Sequence, residues 1–99
     1  MTLDEIKGDG FIKITVDGNV DTNTAPRLQE KLLAAYQKTS DVVIDMEKCQ
    51  YMSSAGLRAL LLALKTANSK GGSMKLMNVG EVVMNVFQIS KFDKVLTII

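Results

Sequence analysis

A chain of 99 residues, 46% of them apolar, is enough for one core and too short for a deep, multi-part active site. Twelve basic and eleven acidic residues nearly cancel and are interspersed, so no basic face for nucleic acid or anionic lipid is evident. There is no histidine, which removes His-based triads and Cys/His zinc sites, and the single cysteine, Cys49, excludes an internal disulfide framework.

Leu3 and Ile6 lie before a turn signal, Lys7-Gly8-Asp9-Gly10, and suit a short edge strand. No basic region precedes an apolar one at the N-terminus, so no secretory signal is predicted. Phe11 to Val16 alternates loosely, is rich in β-branched residues and reads as a strand; Asp17-Gly18 ends it, and Asn19 and Val20 continue the sheet briefly. Asp21-Thr22-Asn23-Thr24 offers several N-cap candidates, and Pro26 suits the first turn of a helix. Leu28, Leu32, Ala35 and Tyr36 then form one apolar stripe, with Leu33 beside it.

Val42-Val43-Ile44, apolar without alternation, predicts a strand covered on both faces, and Glu47 to Gln50 a loop or bulged extension. A second helix begins near Ser53 or Ser54. Leu57, Leu60, Leu61 and Leu64 give its i, i+3, i+4, i+7 stripe, and Gly71 or Gly72 ends it in a left-handed conformation. The run from Leu57 to Leu64, interrupted by Arg58, is far below the roughly 20 residues that span a bilayer. Met74 to Val79 predicts a strand, Val82, Val83, Val86 and Phe87 a short helix, and Val95 to Ile99 a terminal strand. The order β-β-α-β-α-β-α-β implies an α/β fold with a small, mostly parallel central sheet, helices packed on it and right-handed crossovers.

The richest segment is Tyr51-Met52-Ser53-Ser54-Ala55-Gly56-Leu57-Arg58, where a strand-side loop becomes a helix. Such a junction presents free backbone N–H groups and can cap its own helix, hold an anion or offer a serine to a modifying enzyme. With the helix starting at Ala55, Ser54 is its N-cap and Ser53 precedes it. Both serines read either as turn and cap residues or as phosphate acceptors. Gly56 is either a close-approach residue or a tolerated weak helix former, and Arg58 either pairs with an acidic partner or is a solvated side chain. Asp21 has three readings: a cap, a contact for a partner, or one half of a cation site with Asp45. Cys49 reads as a semi-buried spacer, since no histidine can activate its thiol.

Four blocks together resemble the STAS domain, and specifically the stand-alone bacterial anti-sigma factor antagonists. They are Gly18 to Ala25, Val42 to Asp45, Tyr51 to Arg58 and Gly71 to Val79. The resemblance implies one STAS-like domain over residues 1–99 that is a switchable binding protein and not an enzyme; without a signal or a membrane-length run the chain reads as cytoplasmic, and the residues present predict no cofactor or metal. Its implied action is to sequester an anti-sigma factor that is also a serine kinase. Phosphorylation in the junction releases the complex, and a PP2C-type phosphatase reverses the change; neither nucleic-acid binding nor membrane insertion is implied. The implied partner surface is Asp21, Thr22, Asn23, Thr24, Ser53, Ser54, Ala55, Gly56 and Arg58. In the family the phosphorylated hydroxyl immediately precedes the glycine. Here that position is Ala55, so the resemblance points to Ser54, one residue earlier, with Ser53 as second choice. Ala55 keeps open a second reading, a STAS interaction or scaffold module working without phosphorylation. A third, a small nucleotide-dependent enzyme, lacks a phosphate-binding Gly-x-x-x-x-Gly-Lys-Ser/Thr loop and an acid–base pair.

Overall fold

A computed structural model describes residues 1–99. The strands are β1 (Thr2–Lys7), β2 (Ile12–Asp17), β3 (Asp41–Lys48), β4 (Ser73–Met77) and β5 (Thr97–Ile98); the helices are α1 (Ala25–Tyr36), α2 (Ser54–Ser69) and α3 (Glu81–Ile89), with a 3-10 turn at Phe92–Lys94. They form one sheet in the order β1-β2-β3-β4-β5, with β1 antiparallel to β2 and the other pairs parallel. The element order and the mostly parallel sheet agree with the sequence reading. The boundaries shift at the end: Val95 is exposed, and only two residues of the expected terminal strand pair.

Strand order follows chain order without a reversal. Right-handed crossovers therefore bring every helix to the same side. Burial follows: Ile12, Ile14 and Val16 on β2 align with Val42 and Ile44 on β3 and with Met74 and Leu76 on β4, and all are buried. The alternate residues Lys13, Thr15, Val43 and Met77 are half-buried and Lys75 is exposed; Asp45 alone in these rows is buried, where it is hydrogen-bonded to Asn78. The expectation that Val42–Ile44 would be covered on both faces is thus corrected. A single-direction winding leaves the second face open, and Val43 tolerates a half-buried place there.

The stripe read on α1 is the buried one: Leu28, Leu32, Ala35 and Tyr36 all lie in the core. On α2 the buried set is Gly56, Leu57, Ala59, Leu60, Ala63 and Ala67, whereas Leu61 and Leu64 are half-buried. The alanines, not the two later leucines, face inward, because small side chains let the helix lie close to the sheet. Gly71, at φ 69°, takes the left-handed position after α2, and a Cβ on Gly72 would fall on the Ser40 carbonyl. Glu5 on β1 ties the edge strand to α1 through Lys31 at 3.5 Å and to the turn just after that helix through Lys38 at 2.7 Å.

Candidate functional site at two helix entrances

The segments before α1 and α2 lie side by side. The Val20 N–H donates to the Tyr51 carbonyl at 3.0 Å, and the Ser53 N–H donates to the Val20 carbonyl at 2.8 Å. Val20 and Met52 form an isolated parallel bridge, both essentially fully buried. A short strand-like contact therefore joins two segments that are more than 30 positions apart in sequence.

This contact fixes where α2 begins. Ser53 is held extended (φ −81°, ψ 171°), and its Oγ accepts the Gly56 N–H at 3.3 Å. Ser53, not Ser54, is the N-cap. The expectation for Ser54 is corrected by one residue, because the backbone is pinned through Ser53 and turns helical immediately after it. Ser54 is the first helical residue, exposed, and its hydroxyl makes no hydrogen bond. Gly56 is buried, and a Cβ there would sit 2.7 Å from Met52 Cγ and 2.8 Å from Val20 Cγ1. The close-approach reading holds: the first turn of α2 rests on the bridge that positions it.

Before α1, Asp21 organises its own turn. Its Oδ1 accepts the N–H groups of Asn23 and Thr24, each at 2.9 Å, and lies 3.1 Å from the Thr24 hydroxyl. The Asp21 N–H in turn donates to Thr24 Oγ1 at 2.9 Å. The Thr24 backbone and side-chain donors, then the Asn23 amide, hold the Asp21 carboxyl below its ordinary range. Thr24 occupies the N-cap position without a side-chain capping bond, and Pro26 lies in the first turn. Asp45 belongs to a different network: it is buried and accepts the Glu47 N–H and Asn78 Nδ2, both at 3.1 Å. Asp21 and Asp45 each serve their own loop, and no three His, Cys, Asp or Glu side chains gather as a metal site. Cys49 is buried, its thiol pushed up by burial and directed at the Tyr51 carbonyl at 3.3 Å.

Between the N-terminal halves of α1 and α2 runs an open groove of about 540 Å³, lined among others by Thr22, Pro26, Glu30, Leu33, Ala55 and Arg58. It joins the two segments singled out in the sequence and adds residues of α1 that the sequence reading missed. The apolar signal of Leu33, beside the main stripe of α1, was their only trace. Ala55, at the position the resemblance gives to the acceptor, is half-buried and lines the groove. Arg58 is exposed and enters no ion pair.

Fold and site together define a small α/β module with two helix entrances flanking a groove. The chain belongs to the STAS domain family, whose match spans residues 3–99. It is 29% identical over 98 residues to the anti-sigma-B factor antagonist of Bacillus subtilis (strain 168), covering 99% of this chain and 90% of the relative. It is 30% identical over 91 residues to the anti-sigma-B factor antagonist of Staphylococcus epidermidis, covering 91% of this chain and 84% of that one. Its fold matches the Bacillus cell fate determinant SpoIIAA in the phosphorylated form, with a TM-score of 0.76 at 17% identity over 99% of this chain and 91% of that one. No helix is long and apolar enough to cross a membrane.

Proposed function

We propose that this protein is an anti-sigma factor antagonist. It is a binding module that engages an anti-sigma factor through the two helix entrances and the groove between them. Two relatives at about 30% identity over most of the chain carry that name, which supports the reading. The finer proposal is that the anti-sigma factor is also a serine kinase, that it phosphorylates Ser54 and thereby loses its grip, and that a PP2C-type phosphatase restores binding. The observation that carries this is the difference between the serines. The Ser53 hydroxyl accepts the Gly56 amide, whereas the Ser54 hydroxyl is exposed and unengaged at the first position of α2. A phosphate there gains from the helix N-terminus, so the switch leaves the fold intact.

The test incubates the protein, Ser53→Ala and Ser54→Ala with a cognate anti-sigma factor kinase and ATP, maps phosphate by peptide mass and measures binding by calorimetry. The expected result is label on Ser54, lost only in Ser54→Ala, with weaker binding of the labelled protein. Label on Ser53 overturns the assignment. No label, with a kinase active on another substrate, moves the chain to the reading favoured by Ala55, a docking module that works without phosphorylation. The module itself turns over no substrate in this proposal. Sustained product formation from ATP, GTP or phosphoesters that is lost on mutating Ser54 or Asp21 overturns that part.

A further inference from the structure

We propose that Arg58 has two alternative anions: a carboxylate of the docked partner while Ser54 is unmodified, and the phosphate of Ser54 once it is phosphorylated. This rests on the proposed modification of Ser54 and adds the means by which it acts on the groove.

Ser54 and Arg58 are the first and fifth residues of α2, so they share one side of the helix a single turn apart. Long helical side chains lean toward the N-terminus, so a guanidinium at position 58 has the reach to meet a group on Ser54. Arg58 is exposed and has no ion pair, although Glu30 lines the same groove from α1. A solvated surface arginine accounts for the exposure. It does not account for the placement: Arg58 is the one cation among the residues lining the groove, which is otherwise apolar or neutral apart from Glu30. A partner segment entering beside Ala55 and Leu33 meets that cation, and the complementary group is a carboxylate.

Phosphorylation reverses the local charge. The Ser54 Oγ attacks the γ-phosphorus of ATP, the bond from that phosphorus to the β–γ bridging oxygen breaks, ADP departs, and the hydroxyl proton passes to a base of the kinase. The new group carries about −1.5 to −2 charge. The guanidinium fork can donate two N–H bonds to two of its oxygens. The groove then loses its free cation and gains an anion at its rim. A carboxylate that had docked on Arg58 now faces like charge.

The test separates this pairing from the kinase reading by installing phosphoserine at position 54 during synthesis, without any kinase. Phosphorus NMR follows the second ionisation of the phosphate, ordinarily near about pH 6, in the Arg58 protein and in Arg58→Lys, Arg58→Gln and Lys65→Gln. With Arg58 as its counter-ion, the midpoint is lowest in the Arg58 protein and in Lys65→Gln, intermediate in Arg58→Lys and highest in Arg58→Gln. Equal midpoints in the Arg58 protein and Arg58→Gln, with folding confirmed by circular dichroism, overturn the pairing even where the kinase labels Ser54. A midpoint difference upholds the pairing even where that kinase labels nothing. The docking half is read with unphosphorylated protein and a cognate anti-sigma factor. Arg58→Gln should weaken binding at least tenfold and flatten its salt dependence, and unchanged affinity overturns that half.

Discussion

The entrances to α1 and α2 solve one problem in opposite ways. Before α1 the turn is held by side chains: Asp21 Oδ1 accepts the Asn23 and Thr24 amides and lies against the Thr24 hydroxyl, whose oxygen accepts the Asp21 N–H. Before α2 the turn is held by backbone, through the two bonds between the Val20 and the Tyr51–Ser53 stretches and the buried Val20–Met52 bridge, with Ser53 as the one side-chain cap. Side chains engaged in building a loop are not free for other chemistry. A loop held largely by backbone uses only one of its two serine hydroxyls, that of Ser53, and leaves that of Ser54 free.

Breaking the backbone-built entrance should have the largest effect. Met52→Ala removes a buried side chain from beneath it and should cost about 2–5 kcal/mol in chemical denaturation. An effect below that range would mean that the bridge is held by hydrogen bonds alone. Gly56→Ala sets overpacking against Met52 and Val20 against better helix propensity, for a net loss of about 1–2 kcal/mol. A gain in stability would show that Met52 yields freely. Ser53→Ala loses the cap and should cost about 1 kcal/mol.

Asp21 sharpens the other side of the comparison through pH. Its folded pKa lies below the ordinary 3.8, so its contribution is complete above that value and is lost as pH falls through the lowered folded value. Glu5 is also lowered, chiefly by its hydrogen bond from Lys38, and adds to the acid sensitivity of the parent. Asp21→Asn, which keeps an oxygen to accept the two amides, should therefore have a shallower fall in stability below about pH 4 than the parent. Parallel stability curves would mean that the carboxylate charge adds nothing. The smallest effect is expected at Ser54→Ala, within about 0.5 kcal/mol, since its hydroxyl holds nothing in the fold. A loss as large as that of Ser53→Ala would return the capping role to Ser54.

Much of this was legible in the chain. Periodicity located α1 and its buried face because its stripe is regular and its caps are local. The class of fold followed from element order, and the place of the loop-to-helix junction at Ser53 to Arg58 from the density of small and hydroxyl residues. What escaped was set by contacts distant in sequence. The one-residue shift in the start of α2 comes from the Ser53–Val20 bond, which no local propensity encodes. Leu61 reads as core and is half-buried, because the side of α2 facing the sheet is chosen by how closely alanines let it approach. The open face of β3 depends on the direction of winding and is invisible in Val42-Val43-Ile44 taken alone. The α1 half of the groove, from Pro26 to Leu33, carries an ordinary amphipathic pattern and no motif.

The unreversed strand order bears on how the chain comes off the ribosome. Each strand pairs with the one made just before it, so no early strand waits for a late one to fill a gap between neighbours. The sheet can grow at a single moving edge, always the most recently synthesised, and β1 covers the other edge from the outset. Most pairing partners then meet soon after synthesis, which shortens the time an apolar strand stays unpaired. Limited proteolysis of ribosome-stalled chains that have exposed β1 to β3, with α2 still in the tunnel, should already find β1 and β2 protected.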